Sequence, residues 1–152
     1  MNRIAELLPE SHVAVGLDVA TKRDLFATVA AMFEAGGLAR TAVIDALSAR
    51  EKLGSTGLGQ GIAIPHGRIK GLKDALGAFV RLAQPVAFDA PDGRPVNQVF
   101  VLLVPEHATE QHLELLSELA QMFSERAFRE RLAAAADAHA AWIAIRDWVA
   151  RA

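Results

Sequence analysis

The run Val99-Phe100-Val101-Leu102-Leu103-Val104 constrains the chain most. It has the length of a strand, and with no polar residue in alternate positions neither of its faces can be left to water. At six residues it is far short of the roughly 20 needed to cross a bilayer. Such a strand requires a covering layer on both sides. A second strand-like run, Ala78–Leu82, precedes it, and Val86 and Phe88 alternate ahead of the turn signal Pro91-Asp92-Gly93. Near the start, Val13, Val15 and Leu17 alternate with small residues and predict a short strand ending at Asp18.

Helical spacing supplies the covering layers. Leu25, Val29, Met32 and Phe33 form an apolar face after Thr21, a capping residue followed by Asp24, and Gly36-Gly37 ends that helix. A second helix is expected from Thr41 as its cap, with Val43, Ile44 and Leu47 inward and its end near Arg50-Glu51. The last third reads as helix, with Leu113, Leu116, Ala120 and Phe123 in one stripe and Trp142, Ile145, Trp148 and Val149 in another. Strands interleaved with helices predict an α/β protein: a central mixed sheet covered by helices on both faces. No repeat, low-complexity tract or linker divides the 152 residues, so residues 1–152 are expected to form one compact domain.

Composition excludes several classes. There is no cysteine, hence no disulfide and no thiolate nucleophile or thiolate metal ligand. A net charge of −2, with scattered basic residues, gives no basis for nucleic-acid binding. The N-terminal MNRIAELLPESH carries charges and a proline too early for a secretory signal, and no segment suits membrane embedding. A cytoplasmic location is the expectation.

The chemistry concentrates in Arg50–Arg68, REKLGSTGLGQGIAIPHGR. Glycines 54, 57, 59 and 61 permit sharp bends and close approach to a ligand. The segment is neither a P-loop, which needs Lys-Ser/Thr where Gln60-Gly61 stands, nor a dinucleotide fingerprint, whose third small residue falls on Ile62 or Ile64. His66 lies between Pro65, which biases Ile64 towards extended backbone, and Gly67, which adds no bulk. Its imidazole should project from a buried strand with little cover. A largely uncharged imidazole is a competent nucleophile near neutral pH, although a lone histidine beside a buried strand is more often structural.

GSTGLGQGIAIPHG resembles the active-site signature of phosphotransferase-system enzyme IIA domains of the fructose/mannitol/nitrogen-regulatory class. Two further blocks are similar to that family: PVAFDAPDGRPVNQVFVLLVP (85–105), and His112-Leu113 opening a helix. The likeness runs from about residue 4 to 149. It implies that His66 accepts a phosphoryl group from a small histidine-containing phosphocarrier protein, with His112 and Arg50 beside it, and it implies no cofactor. A phosphoryl group brings close to two negative charges and three acceptor oxygens, and its transfer depends mainly on positioning and charge stabilisation. Arg50 can offer paired donors, His112 an N–H and the positive end of a helix, and Ser55, Thr56 and Gly57 a phosphate-binding loop with hydroxyl donors. Plainer roles stay open: Arg50 complementing a helix C-terminus, His112 an ordinary first-turn residue, and the two hydroxyls satisfying turn backbone.

The rival from another class is a metal enzyme using His66, His107 and His112 with Glu106 or Glu110. His107 and His112 are five apart, about 140° around a helix, and cannot face one ion while helical. No metal site is expected. Within the family, REKLGSTGLGQGIAIPHG resembles the nitrogen-regulatory branch, whose members regulate targets such as potassium transporters and sensor kinases. The alternative is a sugar-transport IIA passing phosphate to a IIB domain.

Overall fold

The computed structural model describes residues 2–107 and 109–149. Helix α1 (Arg3–Glu6) starts on Asn2, whose Oδ1 accepts from the Ala5 N–H at 2.8 Å, and a 3-10 turn leads into β1 (Val13–Leu17). Helix α2 (Lys22–Glu34) begins as its sequence implies, with Thr21 Oγ1 accepting from the Asp24 N–H at 3.0 Å. Helix α3 (Arg40–Lys52) departs from expectation. Its cap is Ala39, not Thr41: Ala39 is extended and makes no side-chain cap bond, and its carbonyl accepts from the Val43 N–H at 3.2 Å. The helical ladder therefore starts before Thr41 can act as a cap.

The glycine-rich segment is also more regular than a loop. It holds β2 (Gly57–Gly59) and β3 (Ile62–Ala63), joined by a tight turn in which Gln60 and Gly61 both have positive φ, 59° and 79°. Two positive φ values in succession suit a two-residue hairpin turn. Asp92 Oδ2 accepts from the Gln60 N–H at 2.9 Å and pins that turn. Strands β4 (His66–Ile69), β5 (Leu76–Val86) and β6 (Val96–Pro105) follow, then helices α4 (Thr109–Ser124), α5 (Arg126–Ala134) and α6 (Ala138–Arg146).

The described strands form one mixed six-stranded sheet in the order β1-β5-β6-β3-β2, with β4 also paired to β6. β5 and β6 are antiparallel, whereas β1 on β5, and β3 and β4 on β6, are parallel. The apolar run in β6 divides by alternation. Val99, Val101 and Leu103 pack on α2 and α3 through Val29, Phe33 and Leu47. Phe100, Leu102 and Val104 pack on α4 and α6 through Leu119 and Ile145. Burying each such side chain contributes about 1.5–3 kcal/mol, so β6 is the spine on which both layers depend.

The stripe expected on α4 is rotated. The buried side is Leu115, Leu119, Met122 and Phe123, while Leu113 is 66 % exposed and Ala120 is exposed. Two apolar stripes adjoin on this helix, both at helical spacing, and the one that reaches Phe100 and Leu102 is the one that turns to the sheet. The second stripe holds except at its end: Trp142, Ile145 and Trp148 pack on the core, but α6 stops at Arg146 and Val149 is exposed. Among the described residues no helix is long and apolar enough to cross a membrane.

Candidate functional site

The β3–β4 side of β6 is one strand position interrupted at Ile64-Pro65. Ala63 pairs with Val99 and His66 with Leu102, and between them the Pro65 carbonyl accepts from the Leu102 N–H at 3.0 Å. Proline adds no N–H and biases Ile64 to extended geometry, so the chain bends there and resumes with His66 as the first residue of β4. Gly67 follows under the middle of α3. A Cβ at Gly67 would lie 2.9 Å from Ala46 Cβ and 3.0 Å from its backbone carbon. Only glycine lets strand and helix approach this closely, and the approach carries the last turn of α3, with Arg50 and Glu51, to the His66 ring.

Both ring nitrogens have partners. Nδ1 lies 2.9 Å from the Ile64 carbonyl oxygen, and Arg50 Nε lies 3.2 Å from Nε2. A carbonyl oxygen only accepts, so Nδ1 carries the hydrogen and Nε2 holds the lone pair that receives the Arg50 N–H. Arg50 also donates from Nη1 to the Gly54 carbonyl at 2.8 Å. The His66 pKa is lowered, first by burial and then by the Arg50 charge, against opposing contributions from the Ile64 bond and Glu51. The ring is therefore held neutral at pH 7, with its lone pair at Nε2.

His112, in the first turn of α4, meets His66 edge-to-face with centroids 5.1 Å apart and planes at 88°. Its Nδ1 is buried without a hydrogen-bond partner. Burial lowers its pKa most, followed by the charges of His66, Arg68 and Arg50. The His112 ring thus stands edge-on to His66 near the positive end of a helix.

The loop hydroxyls are committed elsewhere. Ser55 Oγ donates to the Phe88 carbonyl and accepts from the Gly57 N–H, and Thr56 Oγ1 donates to Glu51 Oε1 at 2.5 Å. They brace the turn instead of aiming protons at His66. A cavity of about 320 Å³ does open beside the ring, lined by Arg50, Ser55, Thr56, Gly57 and His66 together with Leu116, Ser117 and Ala120 of α4. Sequence reasoning assigned Leu116 and Ala120 to the core and did not single out Ser117. Leu116 is half-buried and packs against the core at the cavity's edge, while Ser117 and Ala120 are exposed; the competing stripe at 115, 119 and 122 was the signal for that rotation.

The other histidines lie apart. His107 is exposed and pairs with adjacent Glu106 at 3.2 Å, and His139 is exposed beside Glu10 at 2.9 Å. His12 is buried, with Nδ1 3.0 Å from the Gly77 carbonyl oxygen. Arg68 is exposed and donates to the Glu106 carbonyl at 3.2 Å. Among the described residues no three His, Asp or Glu side chains converge as metal ligands would.

The structure thus presents a mixed sheet with helices on both faces and, at a strand break, a histidine braced by an arginine. Residues 6–148 match the family described as phosphoenolpyruvate-dependent sugar phosphotransferase system, EIIA 2, and the chain belongs to that family. It is 51 % identical over 105 residues to the nitrogen regulatory protein of Pseudomonas aeruginosa, covering 69 % of this chain and 68 % of that one. It is 38 % identical over 138 residues to the nitrogen regulatory protein of Bradyrhizobium diazoefficiens, covering 90 % of each. The crystal structure of nitrogen regulatory protein IIA-Ntr from Neisseria meningitidis superposes with a TM-score of 0.86 at 49 % identity, over 95 % of this chain and 99 % of that one.

Proposed function

We propose that this chain is a phosphoryl-carrying regulatory protein whose acceptor atom is Nε2 of His66. The donor is a histidine-containing phosphocarrier protein, and the free and phosphorylated forms bind target proteins differently, potassium transporters or sensor kinases among them. The observation that carries the reading is the pair of bonds on the ring: Ile64 holds the Nδ1 hydrogen, and Arg50 marks the free lone pair at Nε2.

In the transfer step the Nε2 lone pair forms the new N–P bond. The donor's N–P bond breaks, and its electron pair returns to the donor ring. The Nδ1 hydrogen need not move. Arg50, released from Nε2, turns its N–H groups to the phosphoryl oxygens, where a charge-assisted bond is stronger than a neutral one. Hydrolysis has no support here: Ile64, Pro65 and Gly67 cannot take a proton from water. The nearby Glu51 carboxylate is occupied by Thr56 and Lys22.

Incubation with enzyme I, its phosphocarrier and phosphoenolpyruvate should add one phosphoryl group per chain. The adduct should be acid-labile and alkali-stable, and His66→Ala should abolish it. An acid-stable adduct, or labelling that survives His66→Ala, would overturn the assignment. Passage of the label to a sugar-specific IIB cysteine would place the chain in the transport branch instead. Pull-downs with His66→Ala and phosphomimetic variants would identify the regulated targets.

A further inference from the structure

Glu51 is the most completely engaged carboxylate near the site. Its side chain is 6 % exposed, and its two oxygens accept from three donors: the Thr56 N–H at 3.0 Å, the Thr56 hydroxyl at 2.5 Å and Lys22 Nζ at 2.8 Å. A buried carboxylate is tolerated only when paired and hydrogen-bonded, and Lys22 supplies the charge. Lys22 is itself fixed from the far side. It donates to the Phe88 carbonyl at 3.3 Å and lies 4.6 Å over the centre of the Phe88 ring.

Two paths lead from Thr56 to the two nitrogens of His66. On one, the Thr56 carbonyl accepts from the Ile64 N–H at 3.0 Å, and the Ile64 carbonyl holds the Nδ1 hydrogen of His66. On the other, the turn that ends at Thr56 presents the Gly54 carbonyl to Arg50 Nη1, and Arg50 Nε reaches Nε2. The carboxylate that grips Thr56 by two donors therefore governs both ring contacts without touching the ring.

We propose that Glu51, neutralised by Lys22, is a positioning residue for phosphoryl transfer: by clamping Thr56 it fixes the tautomer of His66 and the reach of Arg50. The proposal rests on His66 as the phosphoryl acceptor. It explains why a glutamate stands directly after the arginine at the end of α3, where an acidic side chain opposes the helix dipole. The clamp offsets that local disadvantage.

The test uses Glu51→Gln, Thr56→Val and the double variant Lys22→Met/Glu51→Gln, with the full chain. The ¹⁵N shifts of the His66 ring report the tautomer in unphosphorylated protein, so they are informative whether or not the chain is labelled. Wild-type protein should show a protonated Nδ1 and a bare Nε2. In Glu51→Gln the two shifts should move towards each other as the tautomers mix, and transfer from the phosphocarrier should slow about tenfold. Thr56→Val, which keeps the N–H but removes the hydroxyl, should move both readouts less in the same direction. It also stands in if Glu51→Gln does not fold. The double variant should not recover, because the clamp and not a stranded ammonium is at issue. Folded variants with wild-type shifts and rates, a loss of thermal stability alone, or recovery in the double variant would each overturn the proposal. Failure of the wild-type chain to label, with the ring shifts changing as expected, would strike the acceptor reading and leave the clamp standing.

Discussion

Two histidines in this molecule are held almost alike and stand in unlike places. His12 and His66 each direct Nδ1 to a backbone carbonyl, at 3.0 Å and 2.9 Å, and each meets an aromatic ring edge-on at 5.1 Å, Phe33 in one case and His112 in the other. The shared carbonyl bond fixes the tautomer in both. What separates them is the surroundings of the ring. His12 is wedged between β5 and α2 and is 7 % exposed. His66 stands at a strand break, beside a cavity, with a guanidinium on its free nitrogen. A fixed tautomer alone therefore does not set His66 apart; the neighbouring cavity and the guanidinium on its second nitrogen do.

The sharpest way to break the comparison is to remove the His12 ring. His12→Ala deletes a buried side chain and leaves the Gly77 carbonyl without its donor, so stability should fall by about 2–4 kcal/mol. That is a large share of the roughly 5–15 kcal/mol a domain has. Denaturant unfolding would measure it. Labelling per folded chain should nonetheless stay at one phosphoryl group. Loss of labelling in a folded His12→Ala protein would mean that the two rings are not separable in function.

A smaller effect is expected at Arg50, the feature His12 lacks. Replacing it by alanine removes a charge-assisted donor from the transferring group. The expected cost is about 1.5–3 kcal/mol, or roughly 10- to 150-fold in the transfer rate, with little loss of fold because the side chain lies at a helix end. Arg50→Lys should recover only part of the rate. Lysine keeps the charge but cannot bond His66 and the Gly54 carbonyl through one planar fork. Rapid-quench measurement of transfer decides it, and an unchanged rate in Arg50→Ala would return Arg50 to capping α3.

Much of this contrast was open to sequence reasoning, and the reasons for the gaps are physical. The β6 run, the strand at Val13–Leu17 and the Thr21 cap express local rules, and they stand where those rules put them. Pro65 and Gly67 were enough to expect His66 at a strand end, where it stands, but its candidate role came from the resemblance of GSTGLGQGIAIPHG and not from its flanks. The start of α3 was not, since Ala39 caps by backbone conformation alone. The orientation of α4 depended on which of two adjoining apolar stripes meets the sheet, a tertiary choice. The commitments of the Ser55 and Thr56 hydroxyls, and the grip of Lys22 on Glu51 across 29 residues, arise only when α2, α3 and the Phe88 segment converge. Spacing along a chain cannot announce such a contact.

The finest distinction is in acid. An unfolded histidine titrates near 6.5, and both His66 and His112 are lowered from that value by burial first. Between the unfolded and folded values the unfolded chain binds more protons, so stability rises with pH there. Their contribution should be complete above about pH 6.5 and be lost as the pH falls through the lowered folded values. Transfer should follow the same direction, because a protonated Nε2 has no lone pair: the rate should hold below pH 6.5 and then decline. NMR titration of the ring protons would place both midpoints. His66→Gln sharpens the point, since the His66 charge is the second cause of the His112 shift, after burial. Removing it should raise the His112 midpoint only part of the way to 6.5, because burial and the charges of Arg50 and Arg68 remain. A full return would show that the two rings titrate as one coupled pair and that burial contributes little. No movement would show that the edge-to-face contact carries no electrostatic coupling.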